Sequence, residues 1–347
     1  MISIVIPSYN NLRHLKNAYS SVRKHYTDKV ELILIDDGSD DGTFEWLKTL
    51  DDKNLIFWRE DIRVGHTILY DKGIDKAKSD IVGILHADMY IAPGYVENLI
   101  KNLEPGMVVC ATRVEPPLHP EGHEKIIKDF GLDFDSLDIE GFYKFAKKES
   151  SLSHNLITKG MFAPWILYKK DFQAMGGHDP KFAPFPYEDS DIFQRWLIEG
   201  YGLIQSRDAL VYHLTCRGHR WNKEVGKNDD EFKQFEENAR KHYLQKWGSW
   251  IQNDSFGHPI LVPVYNKKII INNSNPRLDT IKDWFNGGDD IVVTIDGNNF
   301  TAIDFEYITK LNQIVEDNGS IGEFELGNVK IKINKIEDIS KSFNIPA

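Results

Sequence analysis

The sequence predicts an α/β protein in which a mostly parallel β-sheet is flanked by helices and followed by a small α+β domain. Two observations carry this reading. Over the first third of the chain, short apolar runs alternate with amphipathic stretches, the pattern of strands and helices taken in turn. Beyond residue 253 the alternation gives way to isolated β-rich runs and one helical stretch, which sets 254–347 apart from 1–253.

In order, residues 2–6 form an apolar run closed by Pro7, the pattern of a buried strand. Asn10 or Asn11 is placed to cap a helix reaching about Tyr26. The run VELILI at 30–35 is the next strand, and the turn-rich DDGSDDG separates it from a helix over about 43–50. A strand at 55–58, a helix over about 67–78 and a strand at 81–85 continue the rhythm. Pro93 suits the opening of the next helix, and 107–112 is again strand-like.

Residues 113–155 break the pattern and read as an inserted, partly helical segment that shapes substrate access rather than the core. Its histidines, His119, His123 and His154, lack metal-ligand spacing and read as solvated loop residues. Regularity returns with a strand at 162–168, short helices at 170–175 and 189–199, short strands at 203–205 and 209–212, and a polar helix closing at about Trp247. In the C-terminal part, 260–265, 269–271 and 291–295 read as strands and 304–316 as a helix. Residues 323–326 and 329–333 are joined by Gly327-Asn328, a pair suited to a tight hairpin.

Composition narrows the partners. Of 347 residues, 41% are hydrophobic and 27% charged, which is ordinary for a folded soluble chain. The net charge of −11 opposes a polyanion, so bulk nucleic-acid binding is not expected. Cys110 and Cys216 lie far apart without metal-like spacing, as expected of a reducing, cytoplasmic compartment. The first residues lack the build of a signal peptide. No segment reaches the ~20 apolar residues of a membrane span, so any membrane association would be peripheral.

Ligands of open α/β sheets sit beyond the carboxyl ends of the strands. Three polar clusters fall there: Ser8-Tyr9-Asn10, Asp36-Asp37-Gly38-Ser39 and His86-Ala87-Asp88. Each alone could cap a helix or fill a turn, but three on consecutive strand ends point to one shared crevice. A fourth cluster, Glu188-Asp189-Ser190-Asp191, places three acids in four residues, more than the preference of a helix N-terminus for negative charge requires.

These segments spell a familiar order. IVIPSYN, LILIDDGSDDGT, ILHADMYIAPGYVENL and MGGHDPKF…YEDSDIFQRWLIEGYGLI…DALVYHL resemble the family 2 glycosyltransferases of the GT-A fold, from residue 2 to about 221. The resemblance implies an inverting transfer of a sugar from a nucleoside diphosphate sugar, most naturally a UDP-sugar, to a hydroxyl acceptor such as a glycan, with manganese or magnesium. It implies that Pro7 and Tyr9 line the base and ribose pocket, that Asp37 accepts a hydrogen bond from the base, and that Asp88 binds the metal. His86 stands where the family usually has the first carboxylate of an Asp-x-Asp motif, so the donor site departs from the pattern there. His213 is the expected second metal ligand, with His219 as substitute; imidazole ligation tilts the expectation toward Mn2+ over Mg2+.

The chemistry explains these residue types. A divalent cation offsets the charge that develops on a diphosphate leaving group, and a carboxylate beside the acceptor hydroxyl can take its proton. The resemblance gives that second role to Asp189. Glu188, Asp191 and Trp165 are placed on the acceptor side, the acids also being able to cap the helix. The alternatives are a metal-dependent nucleotidyltransferase, whose basic Gly-rich loop is not matched by PSYNNLR, a glycoside hydrolase using paired carboxylates, and a non-catalytic sugar- or nucleotide-binding derivative.

Overall fold

A computed structural model describes residues 1–215, 221–222, 227–228, 230–247, 251–261, 268–271, 291–294, 324–326 and 329–331. The chain opens with β1 (Ile2–Ser8), α1 (Leu12–His25), β2 (Val30–Asp36), α2 (Thr43–Leu47), β3 (Leu55–Arg59), α3 (His66–Lys76) and β4 (Ile81–Ile84). It continues through β5 (Met89–Ile91), α4 (Tyr95–Ile100), β6 (Met107–Glu115), β7 (Lys125–Ile127), α5 (Ile139–Leu152), β8 (Ile157–Thr158) and β9 (Trp165–Tyr168). Then follow α6 (Lys169–Ala174), α7 (Glu188–Ile198), β10 (Gly202–His213) and α8 (Asp230–Trp247).

The sheet runs β3-β2-β1-β4-β9-β6-β10-β5, with β7 beside β6 and β8 beside β10. β1 pairs in parallel with β2 and β4, and β2 with β3. β9 is antiparallel to both β4 and β6, and β6 is parallel to β10. Two reversals restore the direction, so β6 and β10 point the same way as β1, β2 and β4. The carboxyl ends of these five strands therefore leave the sheet at one edge.

Both faces of the sheet are covered. Val5, Ile33 and Ile35 face a core built with Leu69, Tyr70 and Ile74 of α3 and with Ile192, Phe193 and Trp196 of α7. Their neighbours Ile4, Ile6, Leu32 and Leu34 face the opposite core, with Leu15, Ala18 and Val22 of α1 and Phe142 and Ala146 of α5. Strands buried on both sides need continuous apolar runs, which is what IVI and LILI supply. α3 lies so close to β1 that a Cβ at Gly73 would sit 2.4 Å from Val5 Cγ1.

Several elements differ from the sequence reading. The insertion expected from 113 begins only after Glu115: Arg113 and Val114 pair with Val211 and Tyr212 of β10, and Val114 is fully buried. The segment is also not separate from the core, because Phe130, Phe142, Tyr143 and Ala146 pack into it. The strands expected at 203–205 and 209–212 are one strand whose register shifts between Gln205 and Leu210. The bulge is held by buried polar groups, with Ser206 O accepting from Thr112 Oγ1 and Asp208 paired with Lys101.

Residues 251–261 straddle the boundary expected at 253/254 and lie against the large unit. Ile251 and Leu261 pack on its core, and Met161 N donates to Phe256 O. Farther on, Lys268–Ile271 pairs antiparallel with Ile291–Thr294, and Phe324–Leu326 with Val329–Ile331. The expected helix at 304–316 and the Gly327-Asn328 turn lie outside the described residues. No described helix is long and apolar enough to cross a membrane.

α8 is locked to α7 by buried charge. Asp191 is fully buried and accepts from Arg195 Nε at 2.8 Å and Trp247 Nε1 at 2.9 Å, with Lys246 Nζ at 2.9 Å. Lys246 also reaches Asp179, which accepts from His242 as well. Burial alone would raise the Asp179 carboxyl, but His242 and Lys246 hold it far below the usual range. Asp191→Ala leaves two buried cations short of a partner and should lower stability by about 3–5 kcal/mol. Urea denaturation checks this: an unshifted midpoint would mean that the network is balanced without Asp191.

Candidate active site

The shared edge of the sheet opens into a cleft of about 470 Å³. β1 delivers Pro7, Ser8 and Tyr9 to it, β2 delivers Asp37, and the end of β4 delivers His86 and Asp88. Glu115 comes from β6 and His213 from β10, while Glu188 and Asp189 enter on the first turn of α7.

Asp37 organises one wall of the cleft. Its two oxygens accept from Val64 N at 2.7 Å and Gly65 N at 2.9 Å, and its carboxyl is raised, chiefly by burial. This hold fixes the loop before α3. Arg63 in that loop lays its guanidinium 4.1 Å from the centre of the Tyr9 ring and pairs with Glu231 of α8. Gly65 has φ +94, and a Cβ there would fall 2.2 Å from Pro184 Cα, so the loop entering α7 rests directly on the start of α3.

His66, the first residue of α3, is 2.6 Å from Glu188 through Nε2. Burial would raise Glu188, yet His66 outweighs it and the carboxyl is lowered. Its other oxygen is buried without a hydrogen-bond partner. Tyr187, at φ +75, turns the chain so that the helix starts with both acids on the cleft. Asp189 behaves oppositely to its neighbour: burial first, then the Glu188 charge, push its carboxyl up to about 6.

His86, Asp88 and His213 place one ligand atom each within 4.8 Å of one another. His213 Nδ1 lies 3.0 Å from Glu115 Oε1, and its Nε2 lies 3.7 Å from Asp88 Oδ1. Burial would raise Glu115, but Arg113, His213 and Lys125 hold it far below the ordinary carboxylate range, so it is ionised and placed to accept a hydrogen bond from His213 Nδ1. Nε2 is then the ring nitrogen that faces Asp88. An imidazole nitrogen and a carboxylate oxygen at this separation suit a cation between them, because two bonds of about 2.1 Å span up to about 4.2 Å. A His/Asp/His donor set also matches borderline transition cations.

Comparison with known proteins fits this geometry. Residues 3–152 match the Glycosyl transferase family 2 model. This match, over the first part of the chain, supports a family 2 glycosyltransferase. It is 25% identical over 153 residues to EpsH of Bacillus subtilis (strain 168), covering 43% of this chain and 40% of that one. It is 30% identical over 118 residues to an undecaprenyl-phosphate 4-deoxy-4-formamido-L-arabinose transferase of Proteus mirabilis (strain HI4320), covering 32% and 36%. Thus it spans well under two thirds of these relatives. Among solved structures, GalNAc-T7 with UDP, GalNAc and Mn2+ superimposes with a TM-score of 0.50 at 17% identity, over 72% of this chain and 48% of that one, a likeness of fold.

Of the residues expected at the site, Pro7, Tyr9, Asp37, His86, Asp88, Glu188, Asp189 and His213 all line one cleft. Two expected acceptor-side residues do not. Trp165 is 1% exposed and meets Trp196 edge-on at 5.2 Å, because β9 is an inner strand whose face is covered by α7. Asp191 lies two residues beyond Asp189, on the far side of the helix, and is consumed by Arg195, Lys246 and Trp247. His119, expected to be solvated, lines the cleft. His219 lies outside the described residues.

Sequence reasoning missed His66, Arg63, Arg113, Glu115 and Lys125. Glu115 was hidden because Thr112 and Arg113 interrupt the apolar run of β6 before it. His66 carried no signal, because its partner is 122 residues away. Gly65→Ala forces both a rare backbone conformation and a clash with Pro184, and should cost at least about 1–3 kcal/mol. An unchanged urea midpoint would show that the loop entering α7 can move away.

Proposed function

We propose that the chain transfers a glycosyl group, with inversion, from a nucleoside diphosphate sugar, a UDP-sugar, to an acceptor hydroxyl with the help of a divalent cation. One observation carries the reading. The His86–Asp88–His213 group and the raised carboxyl of Asp189 share a cleft with Asp37 and Tyr9, so donor, cation and base functions have distinct residues in one place.

In this reading Tyr9 and Pro7 bound the base and ribose. Asp37 already accepts one backbone N–H on each oxygen and keeps lone pairs for an N–H of the base. His86, Asp88 and His213 would hold the cation, with imidazole favouring Mn2+. When bound, it supplies neutralisation of the charge that gathers on the leaving diphosphate. Glu115 keeps His213 in the tautomer that leaves Nε2 free to ligate. Asp189 takes the acceptor proton as the hydroxyl attacks, and a carboxyl raised to about 6 is a stronger base than a free aspartate while still ionised at neutral pH. The chain acts from the cytosolic side on a glycan or other hydroxyl-bearing acceptor.

Two measurements test this. Asp189 must be ionised to act, so transfer should fall as pH drops through about 6 and level off above it. Asp189→Asn should retain donor binding, lose at least ~100-fold in transfer, and lose the inflection. Turnover unchanged in this variant would remove Asp189 as base. Asp88→Ala should abolish the metal-dependent part of UDP affinity, read by calorimetry with and without Mn2+; the same affinity as wild type would overturn the cation site.

A further inference from the structure

The wall of the cleft made by β6 and β7 carries two cations whose one role above is to hold Glu115 ionised. Arg113 and Lys125 stand opposite each other in the parallel register of these strands, with side chains 13% and 10% exposed. Their contacts are ionic and loose. Arg113 reaches Glu115 at 3.2 Å and Glu124 at 3.6 Å, and Lys125 reaches them at 3.4 and 3.8 Å. Among the described residues neither side chain donates a hydrogen bond, and Arg113 Nε is buried without a partner. Between them an arginine and a lysine present eight N–H donors, and so much unspent capacity at a cleft wall calls for an acceptor from outside.

The surrounding charges say where that acceptor belongs. Glu115 is committed to His213 and touches both cations, so it stands between them and the cation-binding group. A diphosphate drawn to the cation would face this carboxylate rather than Arg113. Glu124, by contrast, makes only contacts of 3.6 Å and longer with the pair and is readily displaced. Arg113 and Asp189 line the same cleft, so a group held at Arg113 shares that space with the base. The guanidinium is backed by the Phe162 ring at 5.5 Å.

We propose that Arg113 and Lys125 seat an oxyanion of the acceptor, a phosphate or carboxylate on the molecule that presents the attacking hydroxyl. The acceptor class is thus anionic. The anion replaces Glu124 against the two cations and sets the distance of the hydroxyl from Asp189. This rests on the glycosyl-transfer reading of the cleft.

The probe is inorganic sulfate, an oxyanion that stays soluble with Mn2+, titrated by calorimetry into the full chain saturated with UDP and Mn2+. Sulfate should bind the wild type, and Arg113→Gln with Lys125→Gln should weaken it at least about tenfold, the scale of a charge-assisted hydrogen bond, and by clearly more than any loss of UDP affinity that follows from releasing Glu115. Arg113→Lys, which keeps the charge and disturbs packing least, should retain most of the sulfate affinity and guards against a folding defect. A fall in UDP affinity equal to that for sulfate would assign the pair to the donor diphosphate and overturn the proposal. A wild type that binds UDP with Mn2+ but takes no sulfate up to about 20 mM overturns it too, leaving glycosyl transfer in place. A chain that binds no UDP with Mn2+ removes the glycosyl-transfer reading and the acceptor assignment with it.

Discussion

The antiparallel course of β9 between β4 and β6 is the constraint on which the cleft depends. Because β9 reverses direction on both sides, β6 and β10 emerge parallel to β1, β2 and β4. Only then can Glu115 and His213 meet Asp37 and Asp88, which come from strands on the other side of β9. The strand earns its central place by burial rather than by chemistry. Trp165, Ile166 and Leu167 are each at most 1% exposed; Trp165 and Leu167 share a core with α7 while Ile166 faces the opposite core, and this packing fixes the separation of the two halves.

That separation is transmitted to the chemistry through α7. The helix presents Glu188 and Asp189 to the cleft while Asp191 on its far side is clamped by Arg195, Lys246 and Trp247. A clamp of buried charges is costly to assemble and costly to break, so it resists rotation of the helix more than apolar packing would. A rigid helix matters here because the two acids are tuned in opposite directions. His66 stabilises Glu188 as an anion, and that anion in turn helps to raise Asp189. If the helix turned by a few tens of degrees, both effects would fade together.

The sequence revealed what depends on local pattern and hid what depends on distant partners. The strands IVI and LILI, the turn DDGSDDG and the polar ends of β1, β2 and β4 could be read directly, and with them the positions of Tyr9, Asp37, His86 and Asp88 on the cleft. Asp191 was legible in principle, since residues two apart on a helix face different ways. Its partners were not: Trp247 is 56 residues on. The end of β6 was misjudged because TRVE looks polar, while Val114 pairs with Tyr212 and is buried in the core that also holds Phe130 and Phe142. Trp165 could not be separated from a sugar-stacking aromatic until β9 was known to be an inner strand.

The same distinction governs the metal group. His213 lies between two carboxylates, and its contacts with them are unequal: 3.0 Å with hydrogen-bond geometry to Glu115, and 3.7 Å without it to Asp88. The closer contact makes Glu115 the acceptor for an N–H at Nδ1 and leaves Nε2 as the nitrogen that faces Asp88. His86 completes the group from the strand end that bears Asp88. With an imidazole in place of the first carboxylate of an Asp-x-Asp pair and another from β10, the group offers two nitrogens and one carboxylate, a donor set of lower negative charge than paired aspartates.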